Sequence, residues 1–363
     1  VRAPLSCALV TIALMVAACA DDEAAAPDTA PTSNTASSTA PSSSTSDTAV
    51  ATTTSIAPTT VATEPEPLVP ARSLDELLAL GRPIVLAHSG GEDAYPSETM
   101  FAFEQSAAAG VDMLDINLQL SADGTLMAFH DDTLDRTTNG TGPVADLTAT
   151  ELWQLDAAYW FTPSCGACTD QPLDQYVYRG VRTGDVPPPP GHTADDFRPP
   201  TLQEVVVRFP LAPLNVEIKG DGDAGVITAI ALSTFISDNP YVADRIVVSS
   251  FNDEALARFR SLQPDIEVSP GLNDVAAWVL ARVPLPDGMR ILQIPPVYEG
   301  TEVITAQLVA DSTAAGYPIW VWPNDRALEN ETSYLDFLRL GVTGLNINQP
   351  AEGVAAVRQF TGG

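Results

Sequence analysis

The 363-residue chain contains three histidines, and two of them close apolar runs. "PIVLAH" ends at His88 and "TLMAFH" ends at His130. An imidazole titrates near pH ~6.5 and can both give and take a proton in neutral water, so two of them delivered to one place could serve both ends of a proton transfer. Polar residues accompany them at a spacing of two. In "DMLDINLQL", Asp115, Asn117 and Gln119 share one face of a strand, with Leu114, Ile116 and Leu118 on the other. In "NVEIK", Asn215, Glu217 and Lys219 line up opposite Val216 and Ile218, and later apolar runs end near Ser250, Gln293, Trp322 and Asn348. Burying so many polar groups is costly unless they serve one another or a ligand.

These residues need elements that bring them together. From residue 83 onward, short β-rich runs alternate with helix-like segments such as "TMFAFEQSAAAG", "AGVITAIALSTFIS" and "DEALARFRSL". That rhythm predicts an α/β fold with a parallel sheet, either open and doubly wound or closed as a (β/α)8 TIM barrel. No Gly-rich dinucleotide fingerprint follows the first strand, which favours the barrel. In a barrel the polar strand ends collect at the C-terminal mouth, where sites of this fold sit. The Pro-rich, Cys-containing stretch at 158–200 is too long for an ordinary connection. It reads as an insertion over the mouth, pinned by a disulfide between Cys165 and Cys168 rather than by a core of its own. Its histidine, His192, reads as a solvated loop residue.

Before the domain, residues 1–18 have the layout of a lipoprotein signal peptide: an arginine, an apolar run, then "VAAC", which resembles a lipobox. Cys19 is the expected lipidation site, and residues 19–68, rich in Ala, Pro, Ser and Thr, are the expected disordered tether. The expectation is a cell-membrane lipoprotein on the extracytoplasmic face, with its folded domain in residues 69–363. The formal net charge of −30, from 47 acidic and 17 basic residues, argues against nucleic acid as a partner. An anionic substrate would then need a local cation, and a bound metal is the economical source.

Four segments carry a resemblance: "AHSGG", "DMLDINLQLSADG", "HDDTLDRTTNGTG" and "VEIK" resemble the glycerophosphodiester phosphodiesterase family. The third is the most specific. The resemblance implies a barrel that hydrolyses a small-molecule phosphodiester, releasing sn-glycerol 3-phosphate and an alcohol with the help of a divalent metal. It implies that His88 and His130 are the general acid and base, that Asp115, Asn117 and Glu217 bind Ca2+ or Mg2+, and that Lys219 faces the phosphate. Three places depart from the family pattern. Ser89 stands where the family has an arginine in "HRG"; Ser97 and Glu98 follow Pro96 where it has "PEN"; and Asp115 and Asn117 replace a Glu-x-Asp pair. Fewer ligand charges predict weaker metal binding. That leaves an alternative, a barrel that binds phosphodiesters or cell-wall polymers as a lipoprotein without turning them over. Arg136, in "LDRTT", is expected to brace its loop on Asp132 or Asp135, with a phosphate contact as the other option.

Overall fold

The computed structural model describes residues 73–362; the expected signal peptide, Cys19 and the tether lie outside the described residues. The strands of the main sheet are β1 (Ile84–Ala87), β2 (Met113–Leu120), β3 (Leu126–Ala128), β4 (Leu214–Ile218), β5 (Ile246–Ser249), β6 (Glu267–Val268), β7 (Leu292–Ile294), β8 (Ile319–Val321) and β9 (Gly344–Ile347). The helices are α1 (Leu74–Leu78), α2 (Met100–Ala109), α3 (Ala149–Leu152), α4 (Leu202–Arg208), α5 (Gly222–Asp238), α6 (Asp253–Leu262), α7 (Leu272–Ala281), α8 (Ala306–Ala315), α9 (Glu331–Leu340) and α10 (Pro350–Thr361). None of the described helices is long and apolar enough to cross a membrane. Local chemistry sets their ends: Thr99 caps α2 by accepting from Ala102 N, and Gly110, in the left-handed region, stops it. "TLQE" forms a capping box at the start of α4.

Eight strands run parallel in the order β6-β5-β4-β2-β1-β9-β8-β7, and β3 pairs antiparallel with β2. They curl into the expected barrel. The backbone ladder is interrupted at one seam, between β6 and β7, which have only two and three residues. Side chains cross that seam: Gln293 Nε2 donates to Ser269 Oγ at 2.8 Å, and Arg290 Nε donates to Glu267 Oε2 at 3.0 Å.

The register places like faces side by side. Asp115 lies opposite Asn215, and Asn117 opposite Glu217, with Val247 and Ser249 continuing the two rows on β5. Leu114, Ile116, Leu118, Val216 and Ile218 point outward into the main core, where they meet residues such as Leu232, Ile236, Val354 and Val357 of the surrounding helices. Each such side chain contributes about 1.5–3 kcal/mol by burial, so a one-residue slip that put them in the barrel would be heavily disfavoured. The lower interior is a second apolar cluster, Ile84, Leu86, Met113, Val247, Ile291 and Trp320, closed from below by Leu74 and Leu77 of α1. The polar row therefore begins one layer above a dry floor.

The excursion at 158–200 differs from expectation. Cys165 and Cys168 are bonded, at the turn of a short hairpin, and Ser164 N ties that turn to the β1–α2 loop at Asp93 O, 2.6 Å. Yet the segment also packs a core of its own. Phe197 stacks on Phe101 of α2 at 4.7 Å, Tyr178 meets the same ring at 5.0 Å, and Val181 and Ala158 are buried with them. The Arg179 guanidinium lies 3.6–4.6 Å from the rings of Tyr159, Trp160 and Tyr176. Aromatic rings bury large area from few positions, which is how so Pro-rich a segment still packs. His192 is not solvated: its ring lies 4.8 Å from Phe101, with Nδ1 3.1 Å from Glu104.

Candidate active site

Above the apolar floor, the inward row of β2 and β4 is linked by amides. Asn215 Nδ2 donates to Asp115 Oδ1, and Gln293 Nε2 donates to Asn215 Oδ1 at 2.7 Å. The other oxygen of Asp115 accepts the backbone N–H of Ser89 at 3.2 Å. One layer higher, Asn117 Nδ2 donates to Ser89 Oγ at 2.9 Å and to Glu98 Oε1 at 2.6 Å. Asn117 and Glu98 are both buried, and Asn117 Oδ1 and Glu98 Oε2 have no hydrogen-bond partner. Burial, only partly offset by the Asn117 amide and backbone N–H, pushes the Glu98 carboxyl up to about 8.

The loop after β1 is tightly specified. Ser89 and Glu98 adopt positive φ of 49° and 53°, each a strain of order 1 kcal/mol or more for a non-glycine residue. Gly91, at φ 89°, has no room for a side chain, because a Cβ there would meet Pro350 Cγ at 2.5 Å. The loop is thereby locked against the start of α10.

Both histidines reach this mouth, with ring centroids 6.2 Å apart. His88 Nδ1 donates to Asn348 Oδ1 at 2.8 Å; Asn348 in turn donates its backbone N–H to Glu329 Oε2 at 2.9 Å and its Nδ2 to Glu92 Oε1 at 3.4 Å. Burial alone would lower the His88 pKa, but Glu92, Asp115, the Asn348 bond and Glu329 together raise it above 6.5. His130 Nδ1 donates to Asp131 Oδ1 at 2.7 Å, which leaves Nε2 as the acceptor facing Lys219 Nζ at 3.3 Å. Here burial, with Lys219 and Arg136, outweighs the Asp131 carboxylate and lowers the imidazole below 6.5. Lys219 is also paired with Glu217 at 2.8 Å.

Arg136 braces its loop on Asp131, an acid the expectation did not name. Its Nε and Nη2 grip Asp131 at 2.6 and 2.9 Å, and its Nη1 lies 3.7 Å from Glu92. Although burial acts to raise it, the Asp131 carboxyl is held well below the usual range by His130 and Arg136. Nor does Ser250 join the inward row; Ser249 lies beside Glu217, while the Ser250 hydroxyl donates to Ile218 O.

The structure thus gathers His88, His130, Asp115, Asn117, Glu217 and Lys219 at one mouth. It leaves the Cys165–Cys168 hairpin on the rim. Sequence reasoning missed Asp131, Glu92 and Glu329 as partners of the histidines. Only Asp131 carried a usable hint, as the acid directly after His130. Among the described residues, no group of three His, Cys, Asp or Glu side chains converges as a metal-binding cluster. The expected donors are two carboxylates and an amide, and the unpartnered, buried Asn117 Oδ1 is a hard oxygen that a Ca2+ or Mg2+ ion would satisfy.

Comparison with known proteins decides the lineage. The model of the glycerophosphoryl diester phosphodiesterase family matches residues 88–352, a span that opens on His88 and contains all six of these residues. The chain belongs to that family. A glycerophosphodiester phosphodiesterase of Caldanaerobacter subterraneus is 27% identical over 292 residues, covering 76% of this chain and 98% of the relative. A second, from Bacillus subtilis, is 29% identical over 204 residues, and the match spans 54% of this chain and 62% of that protein. Among solved structures, a glycerophosphodiester phosphodiesterase from Agrobacterium tumefaciens shares the fold with a TM-score of 0.53 and 21% identity, over 75% of this chain and 99% of that one. An Oleispira antarctica phosphodiesterase, solved with the product sn-glycerol-3-phosphate, does so with a TM-score of 0.55 and 23% identity, over 76% and 97%. Three of the residues at which this member of the phosphodiesterase family departs from the motifs quoted above, Ser89, Asn117 and Glu98, are hydrogen-bonded to one another through the Asn117 amide.

Proposed function

We propose that the protein hydrolyses glycerophosphodiesters to sn-glycerol 3-phosphate and an alcohol, with His130 as general base and His88 as general acid. The observation that carries this reading is the opposed perturbation of two histidines 6.2 Å apart. Neighbouring groups whose environments push their pKa values apart are suited to opposite roles. His130, neutral and oriented by Asp131, offers Nε2 to the proton of the attacking hydroxyl or water. As the new P–O bond forms and the bond to the leaving alcohol breaks, protonated His88 donates its Nε2 proton to the departing oxygen. Lys219, between His130 and Glu217, places a positive charge where a phosphate oxygen can replace one of its present partners.

Asp115, Asn117 and Glu217 would hold a divalent cation, Ca2+ or Mg2+. When bound, it supplies electrostatic neutralisation of the phosphoryl oxygens. The lipobox-like "VAAC" supports a place for the protein at the membrane surface, tethered through a lipidated Cys19.

Turnover of glycerophosphocholine and of bis-p-nitrophenyl phosphate, with Ca2+, Mg2+ or Mn2+ and with a chelator, tests the reading. Release of sn-glycerol 3-phosphate supports it. A folded protein that turns over neither compound with any metal would instead be a phosphodiester- or cell-wall-binding lipoprotein.

A further inference from the structure

The two histidines follow strands that are not neighbours. β2 lies between β1 and β3, so no backbone ladder joins the end of β1 at His88 to the end of β3 near His130. Side chains join them instead. His130 Nδ1 donates to Asp131 Oδ1 at 2.7 Å, and Asp131 accepts from Arg136 Nε and Nη2 at 2.6 and 2.9 Å. Arg136 Nη1 then reaches out of its own loop and lies 3.7 Å from Glu92 Oε2, in the loop after β1. The other oxygen of Glu92 accepts from Asn348 Nδ2 at 3.4 Å, and Asn348 Oδ1 accepts from His88 Nδ1 at 2.8 Å. This chain of contacts begins and ends on an Nδ1, which leaves Nε2 of each ring for a substrate. Bracing of the loop after His130 does not account for it. That loop is also closed by Gly142 N on Asp135 Oδ2 at 2.9 Å, Thr138 Oγ1 on Leu134 O at 2.8 Å and Val144 N on Asp132 O at 2.9 Å, none of which involves Arg136.

We propose that Arg136 is a positioning residue for both halves of the reaction, one guanidinium that orients the base through Asp131 and the acid through Glu92 and Asn348. The inference rests on the acid and base roles proposed above. A guanidinium suits the task because its donors lie in one rigid plane. It can grip both oxygens of one carboxylate and still direct another N–H at a second carboxylate. A lysine ammonium supplies the charge without that fork. The charges support the assignment at both ends. Burial and Lys219 lower His130, and Arg136 adds to them against Asp131. Burial acts to raise Glu92, yet His88, Arg136, His130 and Arg326 hold it below the usual range. The ionised Glu92 is in turn the foremost of the groups that raise His88 against its burial, ahead of Asp115 and Glu329. The remaining charged neighbours of His130 are Lys219, paired with Glu217 at the end of β4, His88 and Glu92 from the loop after β1, and Glu98, which lines the same small cavity.

Proton NMR of the imidazole rings across pH, on the full chain, reads this separately from turnover, because three histidines give three assignable titrations. Arg136→Met should move His130 to higher pH, since a cation beside it is gone. It should also move His88 to higher pH, since the charge of Glu92 is then less compensated. His192, in the excursion, should not move. In the same variant, kcat on glycerophosphocholine should fall roughly 10- to 100-fold with KM little changed. Arg136→Lys keeps the charge and loses the fork, so His130 should titrate as in the wild type while kcat stays low. A folded Arg136→Met in which His88 does not move, beside an active wild type, overturns the bridge and leaves the reaction standing. A wild type without turnover overturns the reaction, and the inference with it. Should Arg136→Met fail to fold, Arg136→Lys decides: a fall in kcat with an unmoved His130 supports the fork, and a wild-type kcat refutes it.

Discussion

Asp131→Asn isolates the device that orients the proposed base, His130. Asp131 accepts from His130 Nδ1 on one side and from the Arg136 fork on the other. The asparagine has the same shape, but Arg136 can only donate, so the amide must turn its oxygen to Arg136 and its N–H toward His130. The imidazole then has to accept at Nδ1 and carry its proton on Nε2, where it points at the Lys219 ammonium, donor against donor. No lone pair remains for the attacking group. Because a positioned base contributes typically about 10²–10⁴-fold, kcat should fall by roughly 10²–10³, or about 2.7–4 kcal/mol, with little change in KM. Loss of the carboxylate also removes a group that raises the His130 pKa, so the acid limb of any residual activity should move to lower pH. Steady-state kinetics on glycerophosphocholine across pH, beside circular dichroism to confirm the fold, reads both effects. A kcat within threefold of wild type, or an acid limb displaced upward, would refute the assigned tautomer.

Three further outcomes are expected. In the wild type, kcat/KM should be bell-shaped, with an acid limb below 6.5 from His130 and a basic limb above 6.5 from His88; a profile with one limb would exclude the paired roles. Lys219→Met removes a cation that lowers His130, so the His130 ring resonance in proton NMR should titrate at higher pH, and an unmoved titration would show that Lys219 does not act on it. Glu329 is raised from 4.5 to about 7 by burial, against bonds from Tyr334 and Asn348. A raised folded-state value means its contribution is full below pH 4.5 and disappears as pH rises through about 7, a change of about 3 kcal/mol at roughly 1.4 kcal/mol per pKa unit. Urea unfolding at pH 5 and pH 8.5 should show that loss in the wild type and not in Glu329→Gln; identical losses would place the pH dependence elsewhere.

The legible part of this molecule was whatever depends on residue spacing along one strand. A period of two assigned Asp115, Asn117, Asn215 and Glu217 to the interior and Leu114, Ile116, Val216 and Ile218 to the helices, and the register agrees at each position. The strand and helix rhythm likewise carried the barrel. What escaped depends on contacts between distant segments. Glu329 reads as one more acid ahead of α9 and becomes a buried carboxyl only because Tyr334 and the Asn348 backbone close over it. Glu98 is placed only by its motif, and its burial against Asn117 follows from the loop that turns it inward. Arg136 had three nearby acids in sequence, and only loop geometry chose Asp131. The aromatic core of the excursion escaped for a related reason, since its rings follow no helical or strand period, and the ring they pack against, Phe101, comes from another element. The seam between β6 and β7 has no trace in a sequence where both neighbours are simply short apolar runs.

The bond between His88 and Asn348 joins residues 260 positions apart, and β1 makes four of its six strand pairings with β9 rather than with β2. This imposes an order in time. At a synthesis rate of about 5–20 residues per second, His88 waits roughly 13–50 s for Asn348, for the strand that walls its loop, and for Pro350, which locks Gly91. Until then the nascent chain holds an imidazole with neither its hydrogen-bond acceptor nor Glu329 nearby, and so without two of the groups that raise its pKa. The proposed proton donor of this site therefore takes its setting from both the beginning and the end of the barrel, and is complete only after the last strand has been made.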